Sequence, residues 1–183
     1  MAEEQTKPAP KKMSTATIAI IVVVALVVLG GGGYISRMLS RKAAEKTAEN
    51  LIKNATGADV DVNGEDVKVT SKDGSVESSK TKTWPTDMPT DVPKFTLGSI
   101  TETMKMTIGN GQSWTVSFSS IKTGAFETYC DTLKQNGFKE EFNMSTTNEK
   151  SAAYSKGKLY ASFGTNETDQ KATLTVTLST DTE

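Results

Sequence analysis

Histidine is absent from the 183-residue chain, and cysteine occurs once, at Cys130. These absences exclude a disulfide framework, a Cys/His zinc site and every mechanism that uses imidazole as its base. Arginine is nearly as scarce, with Arg37 and Arg41 as its only two positions. Everything after them relies on lysine and lacks the guanidinium forks that favour phosphate, so a nucleic-acid partner is not expected. Hydrophobic residues make up only 36%, which keeps any core modest.

Charge is segregated along the chain. The net charge of -1 combines an excess of four positive charges over residues 1–53 with an excess of five negative charges over residues 54–183. The first part also holds the longest apolar run, Ile18 to Leu29. Residues 1–13 read as a short tail with an n-region of Lys7, Lys11 and Lys12, and 14–36 as an uncleaved transmembrane signal anchor, since about 20 apolar residues span hydrocarbon. Residues 37–57 read as a helical stalk ending at Gly57. Basic residues follow the apolar run as well as precede it, yet long C-terminal domains translocate despite such charges, so the C-terminal domain is expected outside the cytoplasm.

Residues 58–79 form a small acidic hairpin or meander in this reading. Val60 and Val62 alternate with Asp59 and Asp61, Asn63-Gly64 is a hairpin-turn pair, and Val67 and Val69 resume the alternation. The same stretch matches the first half of a calcium loop, D-x-D-x-N-G, with Asp59, Asp61, Asn63 and Asp66 as candidate ligands. The second half departs from that pattern, because Thr70 stands where a bidentate glutamate belongs. Calcium is therefore the alternative to a plain hairpin.

Residues 80–95 hold Pro85, Pro89 and Pro93 at four-residue spacing and read as an extended linker. Residues 96–180 then show clean two-residue alternation, and 181–183 form a tail. Ile100, Met104, Met106 and Ile108 are expected on one face, Trp114, Val116 and Phe118 on the next strand's apolar face, with Asn110-Gly111 as the turn. Thr123 is the expected cap of a helix with the stripe Phe126, Tyr129, Cys130 and Leu133, closed by Asn136-Gly137. Four further strands are read from Phe138, Phe142 and Met144, from Tyr154, from Leu159, Ala161 and Phe163, and from Leu174, Val176 and Leu178. The expected fold class is α+β: an N-terminal transmembrane helix and stalk, a separate meander, then an antiparallel ββαββββ sheet covered on one face by the helix.

The order Trp84-Pro85-Thr86-Asp87-Met88-Pro89, a hairpin, and then Tyr129, Leu133 and Gly137-Phe138 resembles uncharacterised bacterial membrane-anchored and lipoprotein domains of unknown function. The resemblance implies a location and an architecture and assigns no functional residue.

Catalytic motifs are thin. Ser119-Ser120-Ile121-Lys122 matches S-x-x-K and overlaps Lys122-Thr123-Gly124, but those motifs act from separate elements around one cleft, and here they share one lysine. Cys130 lies on the apolar stripe of the helix and reads as a small buried hydrophobe. Threonines at 101, 103 and 107 and at 173, 175 and 177 suit solvated strand faces and a flat binding surface. The expectation is a non-enzymatic, single-pass envelope protein whose partners are the bilayer and a protein or envelope polymer. The alternatives are a calcium-responsive surface module and a cytoplasmic-facing membrane scaffold.

Overall fold

A computed structural model describes residues 58–63, 66–71 and 74–179, with the side chain of Val62 outside the description. Nine strands and one helix follow in the order β1 (Asp59–Asn63), β2 (Asp66–Ser71), β3 (Gly74–Ser79), β4 (Ser99–Ile108), β5 (Gly111–Ser119), α1 (Ala125–Gln135), β6 (Lys139–Ser145), β7 (Glu149–Lys156), β8 (Leu159–Asn166) and β9 (Lys171–Leu178). All nine strands join one antiparallel sheet, ordered β1-β2-β3-β4-β5-β9-β8-β7-β6. The chain runs as a meander through β5, crosses by way of α1 to the far edge at β6, and meanders back until β9 pairs with β5.

The α+β expectation with a separate meander is thereby corrected to a mostly-sheet fold with one short helix. The meander merges with the larger sheet because β3 pairs along β4, with Val76 opposite Met106 and Ser78 opposite Met104. β4 has ten residues and β3 six, so the long strand offers a matching edge that the three-strand meander would otherwise leave bare. The membrane assignment is corrected too. Residues 14–36 and 37–57 lie outside the described residues, and among the described residues no helix is long and apolar enough to cross a membrane. The described helix has 11 residues, about half of what a span needs. Single-pass anchoring and an extracytoplasmic location therefore have no support in the structure.

One face of the sheet carries the core. Trp114, Val116 and Phe118 of β5 stand beside Val176, Leu174 and Ala172 of β9, followed by Ala161 and Phe163 of β8 and Tyr154 and Ala152 of β7. α1 lies over β7 and β8, placing Phe126, Tyr129, Cys130 and Leu133 on this surface. The rings of Phe95, Phe126 and Tyr129 close around Phe163 at centroid distances of 5.2, 6.0 and 4.7 Å.

The helix ends differ from each other in kind. Gly124, at φ 73°, is the N-cap in place of the expected Thr123, and no side chain caps the helix there. At the other end Phe138 N–H donates to Leu133 O (3.1 Å) and Gly137 N–H to Lys134 O (3.0 Å), a Schellman arrangement that needs the positive φ of Gly137. Lys150 Nζ joins Glu127 of α1 and Glu167 of the β8–β9 turn, each at 2.7 Å.

The proline-rich segment packs as part of the core. Met88 N–H reaches back to Pro85 O and Val92 N–H to Pro89 O, so the four-residue proline spacing makes two successive turns. These turns aim Met88, Val92 and then Phe95 inward, and all three are buried. Tyr129 OH donates to Pro93 O (2.8 Å), and Lys156 pairs with Asp91 (2.6 Å).

A bulge reassigns β4. Its register to β5 shifts between Ile100 and Glu102, so Ile100 pairs with Phe118 on the core side. Met104, Met106 and Ile108 then face the other way, beside Thr115, Ser113 and Gly111. A second bulge, between Glu140 and Phe142, does the same at the β6 edge, where Phe142 and Met144 are exposed on the face away from α1. That bulge, with Lys139, Glu140 and Glu141, blunts one sheet edge, and the aspartates of β1 blunt the other.

Candidate functional site

On the core side of the sheet, α1 leaves the strip over β2–β5 uncovered, and the proline-rich segment runs along it. Between them lies a groove of about 480 Å³. Its floor comes from β2 to β5 with Asp66, Glu77, Ser79, Thr103, Lys105 and Trp114, and its wall from Thr81, Thr83, Trp84, Pro85, Thr86 and Asp87. Strand alternation puts the floor residues on one face, because Lys68 opposes Glu77, Glu77 opposes Lys105, and Lys105 opposes Trp114. Both tryptophans of the chain line this one groove.

Lys105 is its electrostatic centre. The ammonium pairs with Asp87 and lies 5.7 Å from the Trp114 ring centroid. Partial burial pushes the Asp87 carboxyl up, but the Lys105 ammonium and the Trp114 indole N–H outweigh it and hold the group below its usual range. The indole Nε1 is buried and makes no hydrogen bond of regular geometry, so Asp87 acts on it across the groove rather than as a close acceptor. Ser79 Oγ donates to Asp66 Oδ1 at 2.7 Å, and Lys68 pairs with Glu77 at 3.7 Å. Three carboxylates and one ammonium give the lining a net negative charge.

The groove gathers aromatic, carboxylate, ammonium and hydroxyl groups. Its one serine, Ser79, donates to the Asp66 carboxylate, which also accepts the Lys80 backbone N–H (3.3 Å), and the chain holds no histidine to activate the hydroxyl. Elsewhere, Ser119 ends β5 while Lys122 is exposed and anchored through its backbone N–H to Leu97 O (2.9 Å). Glu140 and Glu141 part company at the bulge: Glu140 takes Lys134 (2.8 Å) and the Tyr154 hydroxyl (3.0 Å), and Glu141 takes Ser155 (2.7 Å). Cys130 is buried, and burial raises its thiol above the ordinary range against a smaller lowering by Tyr154 OH. Native Cys130 is therefore expected to resist an aromatic disulfide reagent at pH 8 and to react at once in denaturant. Rapid labelling of the folded chain would contradict this burial.

The four calcium candidates fall on one face of the outer hairpin. Asp59, Asp61 and Asn63 alternate along β1, and Asp66 pairs with Asn63 across the turn. The register pairs Asn63 with Asp66, so Asn63 belongs to the strand rather than to the turn that the sequence pair Asn63-Gly64 indicates, and residues 64 and 65 lie outside the described residues. Side chains two apart on a strand are about 6.5–7 Å apart, whereas calcium draws its oxygens to about 2.3–2.6 Å. Among the described residues no group of three or more acidic, cysteine or histidine side chains is placed to hold a metal ion. Millimolar calcium is accordingly expected to leave the melting temperature unchanged, and a saturable rise would show that the hairpin rearranges around the ion.

The threonine rows do not make one surface. Thr103 and Thr107 share the core-side face of β4 with Lys105, while Thr173, Thr175 and Thr177 lie on the opposite face of β9. There Ser113 meets Thr177 at 3.3 Å and Thr115 meets Thr175 at 3.2 Å, so hydroxyls pair across the strands. A larger depression of about 740 Å³ surrounds the β4–β5 turn, but it is lined by Met106, Ile108, Leu178 and neighbouring uncharged residues and offers no ionisable group.

Sequence reasoning read residues 80–95 as an extended linker and did not find the groove, whose parts are separated by up to 48 positions from Asp66 to Trp114. The only advance signal is Trp84 among the threonines and aspartates of the proline-rich segment, while Trp114 stands among Gly, Gln and Ser with no acidic neighbour in the sequence. No family model matches the chain, enzyme families included, and no curated protein or solved structure matches it either.

Proposed function

We propose that the chain is a non-enzymatic binding module that holds a segment of another macromolecule in the groove between the proline-rich segment and β2–β5. The observation that carries this reading is the gathering of Trp84, Trp114, Lys105 and three carboxylates in one concave site without an activated nucleophile. An aromatic wall with carboxylate and hydroxyl acceptors suits a ligand rich in hydrogen-bond donors, and the net negative lining favours one that is neutral or cationic. Nothing in the reading depends on a membrane.

Because the chain has no other tryptophan, its intrinsic fluorescence reports on this groove. We expect a saturable change on titrating the full chain with chitohexaose, a neutral polyhydroxylated polymer, or with hexalysine, a cationic peptide. Trp84→Ala, which removes a half-buried wall residue, should abolish the response. A response to chitohexaose assigns the hydrogen-bonding class, and a response to hexalysine assigns the charged class. No response to either, or an undiminished one in Trp84→Ala followed through Trp114, overturns the proposal.

A further inference from the structure

The face of the sheet away from α1 changes character across its width. Over β5 and β9 it is serine and threonine, but over β1–β4 the register lines up Val60, Val67, Val69, Val76, Met104 and Met106. Val69 and Val76 are only 2% and 6% exposed, and Ser78 beside them is 5% exposed. Both α1 and the proline-rich segment lie on the opposite face, and no described element crosses this one. Cross-strand neighbours cover a valine from its sides and leave its methyl tips open, so such low exposure marks a covered face.

The chain itself supplies a fitting cover. Ala58, the first described residue, is 2% exposed where the chain enters β1, and 57 residues precede it. Within residues 37–57, Met38, Ala44, Ala48, Leu51 and Ile52 recur at spacings of three, four and six that give one apolar side in the sequence pattern. Six residues separate Ile52 from β1, a tether of about 20 Å when extended. Three inter-strand steps of about 4.8 Å put β4 roughly 14 Å from β1, within that reach. So short a tether gives an effective concentration in the millimolar range, which favours this segment over a second copy of the chain.

We propose that residues 37–57 dock across the β1–β4 face of their own chain, with Leu51 and Ile52 against Val69, Val76 and Met106. Docking completes a second apolar layer and places the segment on the side of the sheet away from the groove, so the two proposals stand or fall separately.

The test is photocrosslinking of the full chain with p-benzoylphenylalanine in place of Leu51, irradiated as an equal mixture of ¹⁵N-labelled and unlabelled protein and mapped by mass spectrometry. The expected result is cross-linked peptides from β2–β4, centred on the methionines of β4, with both partners carrying the same isotope. Mixed-isotope products would assign the face to a second copy and overturn the proposal. Cross-links only to the α1 side, or none to the sheet, would overturn it as well.

Discussion

Phe163→Ala is expected to lower the unfolding free energy by about 3–5 kcal/mol, a large share of the total for a domain of ordinary stability. Phe163 is fully buried on β8 and is the one ring that touches the proline-rich segment and α1 together, through Phe95, Phe126 and Tyr129. Its removal leaves a cavity where three separate parts of the chain converge, and the remaining rings, held by a helix and a loop, cannot all close in on it. In a thermal melt the loss corresponds to a fall of about 10–20 °C. Tyr160→Ala, three residues earlier on the same strand, is the control. Tyr160 faces the other side and is 46% exposed, so its truncation should cost no more than about 0.5 kcal/mol. Equal losses in the two variants would mean that the face assignment of β8 is wrong.

The second large effect is expected from Gly74→Ala. A Cβ built on Gly74 would stand 2.1 Å from Thr107 O and 3.1 Å from Ile108 Cα, both backbone atoms of β4. No rotamer change relieves a clash with backbone, so β3 must move off β4 at the Gly74–Ile108 end of their ladder. We expect a loss of about 2 kcal/mol or more, within the range of overpacking effects. Because β3 and β4 form part of the groove floor, the variant should also weaken any groove ligand. Gly164→Ala is the matched control, since a Cβ there meets only Lys150 O at an ordinary 3.6 Å. Denaturant titrations of both variants read the difference directly. A Gly74→Ala protein as stable as its parent would contradict the close approach of β3 and β4.

Which parts of this architecture can be read from the sequence follows from the range of the interactions involved. The stripe Phe126, Tyr129, Cys130 and Leu133 is buried as its helical spacing indicates, and Trp114, Val116 and Phe118 are buried as strand alternation indicates. Both patterns are local and follow from backbone geometry alone. The bulge beside Thr101 is invisible in the sequence, because Ile100, Met104, Met106 and Ile108 keep an even spacing while the extra residue moves Ile100 to the other face. The joining of β3 to β4 is equally silent. It depends on how the segment between them folds, and a proline-rich stretch announces turns without saying what Met88, Val92 and Phe95 will pack against. The groove is hidden for the same reason, since Asp87, Lys105 and Trp114 meet only after the proline-rich segment folds back on the sheet. Asp66, singled out as a calcium ligand, lies at the groove's margin with Ser79 as its partner.

One continuous sheet is the premise of both the groove and the covered valine face, and native-state hydrogen exchange on the full chain tests it most directly. If the nine strands form one unit, amides in the β3–β4 and β4–β5 ladders should be protected together and lose protection in the same unfolding event. Free exchange throughout β1–β3, with β4–β9 still protected, would show a detached meander and remove the floor on which the groove is built.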